Sequence, residues 1–224
     1  MEQAPFDTVV LDCDSTLSTI EGVDELARRA GVYAACCELT NASMDGRVPL
    51  QDVYGKRLQQ IRPQRSDLDW LGRLYVGNIT PGAADLVNRL QEQGLRVCII
   101  SGGLRPAVLV LAQSLNIPDE DVFAVDISFN ADGTYREFDQ ASPLARAGGK
   151  ADIVRQLKSG GQRLVCIGDG ITDLDMQMDG VLFIGFGGVK CRDRVKAGAD
   201  VFVEDPSLLG LLTYILPENR TRQT

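Results

Sequence analysis

Histidine is absent from all 224 residues of the chain. This absence excludes the Ser-His and Cys-His nucleophile pairs, a histidine general base, and zinc or iron centres with histidine ligands. Any chemistry that the chain performs must therefore use carboxylates, lysine, hydroxyls, thiols and backbone groups, with or without a hard metal ion.

Long apolar runs and basic residues are also scarce. No apolar run approaches the roughly 18 residues that a membrane span needs, and residues 1–7 have neither the basic start nor the apolar stretch of a secretory signal. The 23 Lys and Arg against 31 Asp and Glu give a net charge of −8. This balance argues against nucleic-acid and anionic-membrane partners. A small anionic substrate stays open, because electrostatic steering is local.

The six cysteines follow no metal or disulfide motif. None stands in a Cys-x-x-Cys pair, and Cys98 and Cys166 lie inside apolar, strand-like runs. We therefore expect reduced, mostly buried thiols and a cytoplasmic protein. No motif sets the number of subunits, so a monomer and a homodimer are both left open.

Short apolar runs alternate with helix-like segments over most of the chain. Residues 8–12, 96–101 and 163–169 are short, continuous and rich in β-branched side chains, which is typical of strands buried on both faces. Strands separated by helices predict an α/β fold with a parallel sheet that helices cover on both faces. Within this pattern, residues 122–138 predict a hairpin turning at "NADG", and residues 206–216 predict a helix.

Residues 17–78 differ from the rest of the chain because they contain no strand-like run. Their apolar residues have helical spacing, interrupted by turn signals. We predict a small helical cap over residues 17–78, inserted after the first strand. The sheet domain then comprises residues 1–16 and 79–224.

Reactive residues follow three of the predicted strands. They are Asp12 and Asp14 after the first strand, Ser101, Gly102 and Gly103 after the second, Lys150 at the start of the next helix, and Asp169 and Asp173 after the third. Strands commonly end in Asp, Ser or Gly because these residues make turns. Carboxylates, a Ser-Gly-Gly turn and a lysine at one sheet edge nevertheless favour a ligand site, since ligands bind at the carboxyl ends of parallel strands. Residues 185–190 predict a backbone loop near that site.

Asp12 and Asp14 stand one residue apart and must repel each other. Two such carboxylates tolerate each other if a divalent cation lies between them, or if one keeps its proton. Ligands that are all oxygen favour Mg²⁺, and Asp169 is the candidate third carboxylate.

A magnesium site makes phosphate the leading substrate class. The Ser101 hydroxyl, the Gly102 N–H and the Lys150 charge are suitable partners for phosphate oxygens. Asp12 can attack phosphorus and form an aspartyl-phosphate. Asp14 can protonate the departing alkoxide and then deprotonate the water that hydrolyses the intermediate.

The motifs "DCDST", "SGG", "GGK" and "GDGITD" resemble, in order and spacing, those of the haloacid dehalogenase superfamily of phosphatases. Other segments, including "EGVDELARRAGV" and "FIGFGG", are similar to the phosphoserine phosphatases of that superfamily, over nearly the whole chain. The resemblance implies a Rossmann-like core with a small helical cap. It also implies Mg²⁺-dependent hydrolysis of O-phospho-L-serine to L-serine and phosphate through an aspartyl-phosphate, the last step of L-serine biosynthesis.

The resemblance further implies a role for each matching residue. Asp12 is the nucleophile and Asp14 the acid and base. The metal ligands are Asp12, Asp169 and the backbone carbonyl of Asp14, so the Asp14 carboxylate is free for proton transfer instead of binding metal. Asp173 supports the metal shell and the lysine. The residues implied to bind substrate phosphate are Ser101, Gly102, Gly103 and Lys150, with Thr172 nearby.

Phosphoserine also carries an ammonium and a carboxylate, which the predicted cap has to recognise. By resemblance, Glu21 lies near the ammonium, Arg57 pairs with the carboxylate, and Met44 and Leu50 form an apolar wall. Without the resemblance, Glu21 would be read as a charge at a helix N-terminus and Arg57 as a solvated helix residue.

Three departures from the resemblance leave the exact substrate open. Leu50 and Leu104 stand where many relatives have an aromatic residue, and Asp45 stands where a small or polar residue is common. One alternative is a phosphatase or phosphotransferase for another small phosphate ester, such as phosphohomoserine. Another is a non-catalytic phospho-ligand or magnesium sensor, which would not need Asp14 as an acid for a leaving alcohol.

Overall fold

The computed structural model describes residues 6–44 and 50–216. Within these ranges the chain forms eight strands and ten α-helices. The strands are β1 (Thr8–Leu11), β2 (Arg96–Leu104), β3 (Val122–Val125), β4 (Ile127–Phe129), β5 (Tyr135–Phe138), β6 (Leu164–Gly168), β7 (Val181–Phe186) and β8 (Val201–Val203). The helices are α1 (Gly22–Arg29), α2 (Tyr33–Met44), α3 (Leu50–Ile61), α4 (Arg65–Gly77), α5 (Ala83–Glu92), α6 (Arg105–Ser114), α7 (Gly149–Lys158), α8 (Ile171–Leu174), α9 (Asp193–Gly198) and α10 (Leu212–Ile215).

Six of the strands form one parallel sheet in the order β3-β2-β1-β6-β7-β8. Strand β1 lies inside the sheet, where Leu11 is paired with Ile99 on one side and Ile167 on the other. Residues of β1 alternate between two apolar cores: Val9 and Leu11 belong to one and Val10 to the other. The sheet is therefore buried on both faces, and the predicted α/β fold with a Rossmann-like parallel sheet is confirmed.

Helix α5 shows how the sequence covers a sheet face. Its buried residues are Ala83, Leu86, Val87 and Leu90, which follow the i, i+3, i+4, i+7 spacing of a single helical stripe. The other residues of the helix remain available to solvent, so α5 packs by one side only.

The order of the strands determines where a ligand site can form. The chain builds outward from β1 to β2 and β3, returns to the other side of β1 with β6, and continues outward to β7 and β8. The strand order therefore reverses its direction between β1 and β6. In open α/β sheets, ligands bind at the carboxyl ends of the strands where such a reversal occurs. Asp12 follows β1 and Asp169 follows β6, so both carboxylates lie at this point.

Helices α1 to α4 form the insertion between β1 and α5, and the described part of residues 17–78 contains no strand. The incoming and outgoing chain segments lie side by side. Ser18 forms a bridge with Ile79, and the Thr19 N–H donates to the Asn78 carbonyl at 2.9 Å. Helix α4 also packs against α6 of the sheet domain.

Two segments differ from the sequence-based expectation. Only β4 and β5 form the antiparallel hairpin, whereas Val122–Val125 pairs with β2 as the edge strand of the main sheet. Residues 206–216 form a 3₁₀ segment (Leu208–Leu211) followed by the single turn of α10, instead of one continuous helix.

None of the six cysteines, all of which lie in the described ranges, forms a disulfide, and four of them, Cys13, Cys36, Cys98 and Cys166, are buried. None of the helices in the described ranges combines the length and apolar character needed to cross a bilayer.

We predict that replacing Gly72 with alanine destabilises the protein, because α4 and α6 approach each other at this glycine. A Cβ there would lie 2.7 Å from both Cβ and Cγ2 of Val110. Overpacking of this kind costs about 1–3 kcal/mol. Urea unfolding followed by circular dichroism would measure the loss in free energy of unfolding.

Gly77→Ala is the matched control on the same helix, since a Cβ at Gly77 meets no atom within 4 Å. Alanine there should change the free energy of unfolding by less than about 0.5 kcal/mol, because Gly77 is an exposed residue at the end of the helix. Equal effects of the two variants would contradict a close α4–α6 contact.

Candidate active site

The central feature of the sheet edge is a buried lysine between two carboxylates. Lys150, near the start of α7, donates from Nζ to Oδ1 of Asp12 and to Oδ1 of Asp173, each at 2.5 Å. The three side chains are less than one-tenth exposed. Three segments that are distant in the sequence therefore meet in one charged cluster at the carboxyl ends of β1 and β6.

Asp12, Asp169 and Asp173 are the described residues that could hold a metal ion. One carboxylate oxygen of each lies within 4.8 Å of the others, and all three residues are buried. A set of buried oxygen donors suits a hard cation such as Mg²⁺. Asp173 was expected only to support the shell, yet its carboxylate belongs to this group. The Asp14 carboxylate does not belong to it.

Crowding of negative charge raises the pKa of two of these acids. Burial, followed by the neighbouring Asp173 carboxylate, raises the pKa of Asp12 well above its usual range, while Lys150 acts in the opposite direction. Burial and Asp173 also raise the pKa of Asp169 to about 6, although Arg192 opposes this shift through a 3.0 Å hydrogen bond from its Nε. Compensating positive charge is therefore essential to this cluster.

Lys150 supplies part of that charge. Burial on its own would lower the pKa of Lys150, but the Asp12 and Asp173 carboxylates outweigh this effect and raise the pKa above its usual value. Lys150 consequently stays protonated and provides a fixed positive charge beside Asp12.

Asp14 is held apart from the metal-binding carboxylates. Its Oδ1 accepts hydrogen bonds from the Gly22 backbone N–H and from the Tyr75 hydroxyl, both at 2.7 Å. Burial, with a smaller contribution from the Glu21 charge, raises the pKa of Asp14 to about 6. A carboxyl with a pKa in this range can both release and accept a proton near neutral pH.

The Ser101-Gly102-Gly103 segment belongs to the carboxyl end of β2, which runs to Leu104, so these residues are strand rather than the expected turn after it. Ser101 is buried, and its Oγ accepts a hydrogen bond from the Gly103 N–H at 2.9 Å. The Gly102 carbonyl accepts a hydrogen bond from the Tyr54 hydroxyl of α3, also at 2.9 Å. The segment is thus fixed by its own serine and by a residue of the insertion.

A cavity of about 300 Å³ lies between this sheet edge and the insertion. The predicted site residues that line it are Asp12, Asp14, Glu21, Arg57, Gly102, Lys150 and Thr172. Its lining does not include Ser101 or Gly103. The volume and mixed lining suit a small polar molecule rather than a macromolecule.

The two predicted recognition residues lie at this cavity, and each is paired with a charged group of the protein. The Glu21 carboxylate accepts hydrogen bonds from Lys190 Nζ at 2.6 Å and Ser15 Oγ at 2.9 Å. Although burial acts in the opposite direction, Lys190 lowers the pKa of Glu21. Arg57 forms an ion pair with Asp24.

Comparison with known proteins agrees with this geometry. Residues 6–176 match the family described as haloacid dehalogenase-like hydrolase. The chain belongs to this hydrolase family. Phosphoserine phosphatase of Mus musculus is 41% identical over 209 residues, which cover 92% of this chain and 93% of that protein. Phosphoserine phosphatase of Homo sapiens is 40% identical over the same shares of the two chains.

Solved structures of phosphoserine phosphatases share the fold of this haloacid dehalogenase-like hydrolase. A substrate-bound phosphoserine phosphatase complex is 25% identical, with a TM-score of 0.79 over 94% of this chain and 98% of that one. A phospho-aspartyl intermediate analogue of phosphoserine phosphatase gives the same identity and TM-score, over 94% and 99% of the two chains. The family resemblance of the four motifs is thereby confirmed.

The predicted apolar wall is described only in part. Met44 ends α2 and Leu50 begins α3, but their side chains, together with Asp45, fall outside the residues whose placement is described. Val53, three residues after Leu50, lines the cavity. Leu104 is buried at the end of β2.

Several residues of the site carry no sequence signal. They are Asp24, Tyr54, Tyr75, Lys190 and Arg192. Each looks like an ordinary helix or loop residue in the sequence, and only the fold brings it to the strand ends. Residues 185–190, expected as a loop, begin inside β7, which extends to Phe186, and their contact with the site is made by the Lys190 side chain.

Lys150→Met tests how strongly the charged cluster depends on this ammonium. Removing it leaves Asp12 and Asp173 buried without a positive partner, and breaking such a pair costs about 3–5 kcal/mol. Urea unfolding in the presence of a chelator should show a loss of this size in the free energy of unfolding.

Lys56→Met provides the comparison, because Lys56 and its partner Asp52 are both 46% exposed at the surface. That change should alter stability by less than about 0.5 kcal/mol. Similar losses in both variants would show that the Lys150 cluster is not energetically distinct.

Proposed function

We propose that this hydrolase converts O-phospho-L-serine to L-serine and phosphate through an aspartyl-phosphate, as a Mg²⁺-dependent enzyme completing L-serine biosynthesis. The observation that carries the proposal is the separation of two carboxyls at one cavity. Asp12 accepts a hydrogen bond from the charged Lys150. Asp14 accepts hydrogen bonds from neutral donors, and burial raises its pKa to about 6. The similarity to phosphoserine phosphatases over nine-tenths of the chain supports the substrate.

The first half-reaction transfers the phosphoryl group to Asp12. A carboxylate oxygen of Asp12 attacks phosphorus, and the bond from phosphorus to the serine oxygen breaks. Asp14 gives its proton to that oxygen as it departs, so that L-serine leaves as a neutral alcohol. Lys150 and the Ser101–Gly103 segment offset the negative charge on the phosphoryl oxygens.

The second half-reaction restores the enzyme. Asp14, now a carboxylate, removes a proton from water as the water oxygen attacks phosphorus. The bond from phosphorus to Asp12 breaks, and phosphate is released. Asp12 is again a carboxylate and Asp14 is again protonated, so each carboxyl performs opposite tasks in the two halves.

Asp12, Asp169 and Asp173 would hold the magnesium ion, with the Asp14 carbonyl as a further candidate ligand. The ion would neutralise charge on phosphoryl oxygens and on the three acids. The raised pKa values of Asp12 and Asp169, and the donor set of three buried carboxylates, support a divalent cation at this position.

Recognition of the serine part is assigned to the insertion, which we propose acts as a cap over residues 17–78. Glu21 would bind the substrate ammonium and Arg57 its carboxylate, because both line the cavity. The Nε of Arg57 is buried and, among the described residues, has no hydrogen-bond partner. A substrate carboxylate would compete with Asp24 for this guanidinium, and the substrate ammonium would compete with Lys190 for Glu21. Six cysteines without a disulfide fit a reducing compartment such as the cytoplasm.

A substrate panel tests the proposed function directly. With Mg²⁺, we expect kcat/KM for O-phospho-L-serine to exceed that for O-phospho-L-homoserine by about 10- to 200-fold, the usual effect of one extra methylene. EDTA should abolish phosphate release and Mg²⁺ should restore it, whereas Ca²⁺ should inhibit because its looser coordination misplaces Asp12. Released phosphate and serine would be measured together.

Three outcomes would replace the proposal. A preference for phosphohomoserine would change the substrate. Transfer of phosphate to added homoserine in place of water would indicate a phosphotransferase. Ligand binding without turnover in Mg²⁺ would indicate a sensor.

Arg57→Ala isolates recognition of the amino acid from the chemistry. We expect kcat/KM for phosphoserine to fall about 10- to 100-fold, because a hydrogen-bonded charge pair contributes about 1.5–3 kcal/mol. Activity on p-nitrophenyl phosphate, which has no carboxylate, should stay within about threefold. Lys56→Ala, one residue away on α3, is the control. An equal loss on both substrates would refute the assignment of Arg57.

A further inference from the structure

We propose that Tyr75 is a positioning residue for proton transfer, and that it fixes the Asp14 carboxyl so that only Oδ2 exchanges the proton. The inference deepens the proposed function and rests on the acid and base role of Asp14. Tyr75 belongs to none of the motifs in the sequence, and its phenol is the only side chain in the described residues that donates a hydrogen bond to Asp14.

The Tyr75 hydroxyl is buried and needs a hydrogen-bond partner. The residue lies near the end of α4 and has no exposed surface. A buried hydroxyl without a partner is costly, so its 2.7 Å bond to Asp14 Oδ1 is strongly favoured. The bond also restricts rotation of the carboxyl, because the aromatic ring is held by packing on all sides.

A second donor acts on the same oxygen. The Gly22 backbone N–H, at the first residue of α1, also donates to Asp14 Oδ1 at 2.7 Å. An oxygen that accepts two such bonds is a poor position for the acidic proton. When Asp14 is protonated, the proton therefore lies on Oδ2, and Asp14 lines the cavity.

The absence of a side chain at Gly22 makes this arrangement fit. A Cβ at Gly22 would lie 1.9 Å from the Tyr75 hydroxyl oxygen and 2.7 Å from the adjoining ring carbon. Any other residue there would displace the phenol from Asp14. Gly22 thus contributes a hydrogen bond and also the space for the second one.

Both donors belong to the insertion, whereas Asp14 follows β1 of the sheet domain. The sheet supplies the nucleophile and its charged partners, and the insertion orients the proton-transfer group. The sheet domain and the insertion must therefore be packed together before Asp14 is aligned for catalysis.

Tyr75→Phe tests this inference, because it removes the hydroxyl and retains the ring. The serine alkoxide needs a proton to leave, but p-nitrophenolate does not. We expect kcat/KM for phosphoserine to fall about 10- to 100-fold, a part of the roughly 10²- to 10⁴-fold that a positioned acid contributes. For p-nitrophenyl phosphate, kcat/KM should change less than about threefold, while kcat falls and a burst of p-nitrophenolate appears as water activation becomes limiting.

The ratio of the two kcat/KM values is independent of how much of each preparation is folded, so a stability loss cannot imitate the effect. Gly22→Ala should change this ratio in the same direction, since its methyl group displaces the phenol. Asp14→Asn should change it further. Tyr214→Phe, at a tyrosine that is 46% exposed, is the control and should leave both values unchanged.

Two results would overturn the inference: an unchanged phosphoserine kcat/KM in Tyr75→Phe, or equal losses on both substrates, which would indicate a merely structural role. Failure of the proposed function is distinguishable, because the unmodified enzyme would then not hydrolyse phosphoserine.

Discussion

The buried ion pairs of Lys150 with Asp12 and Asp173 are the interaction on which the rest of the site depends. Isolated carboxylates in this position would be forced to take up protons, and Asp12 would lose the charge that its proposed role as nucleophile requires. The ammonium opposes the rise in the pKa of Asp12 and ties α7 to the ends of β1 and β6. The same contacts that stabilise the sheet edge therefore also prepare it for reaction with an anionic substrate.

The two carboxyls of the opening motif are only two positions apart, but the fold gives them different surroundings. Asp12 lies among fixed charges, and Asp14 is held by a phenol and a backbone amide. Differences in charge and hydrogen bonding, rather than in residue type, separate their tasks. A local sequence motif is thus completed by residues that come from distant helices.

The sequence predicts best the central strands and the residues that directly follow them. Continuous β-branched runs identify the central strands, and residues directly after such runs, including Asp12 and Asp169, must meet at one sheet edge. The pairing of Tyr75 with Asp14, or of Lys190 with Glu21, depends on how whole helices and loops dock, which no local pattern encodes.

The errors in the fold have similar causes. Val122–Val125 is followed at once by the hairpin, so that a single apolar pattern covers two separate sheets. The 206–216 segment is apolar enough for a helix, but Gly210 and the Ser207 cap at its start accompany a 3₁₀ turn. Side-chain periodicity alone does not distinguish these cases.

The paired segments at Ser18 and Ile79 have a consequence for the history of the fold. Because the two ends of the insertion already lie next to each other, a different set of helices could replace it without altering the pairing of β1. Such a junction lets evolution exchange the inserted helices as one unit, while the sheet edge that carries Asp12 and Asp169 is inherited intact.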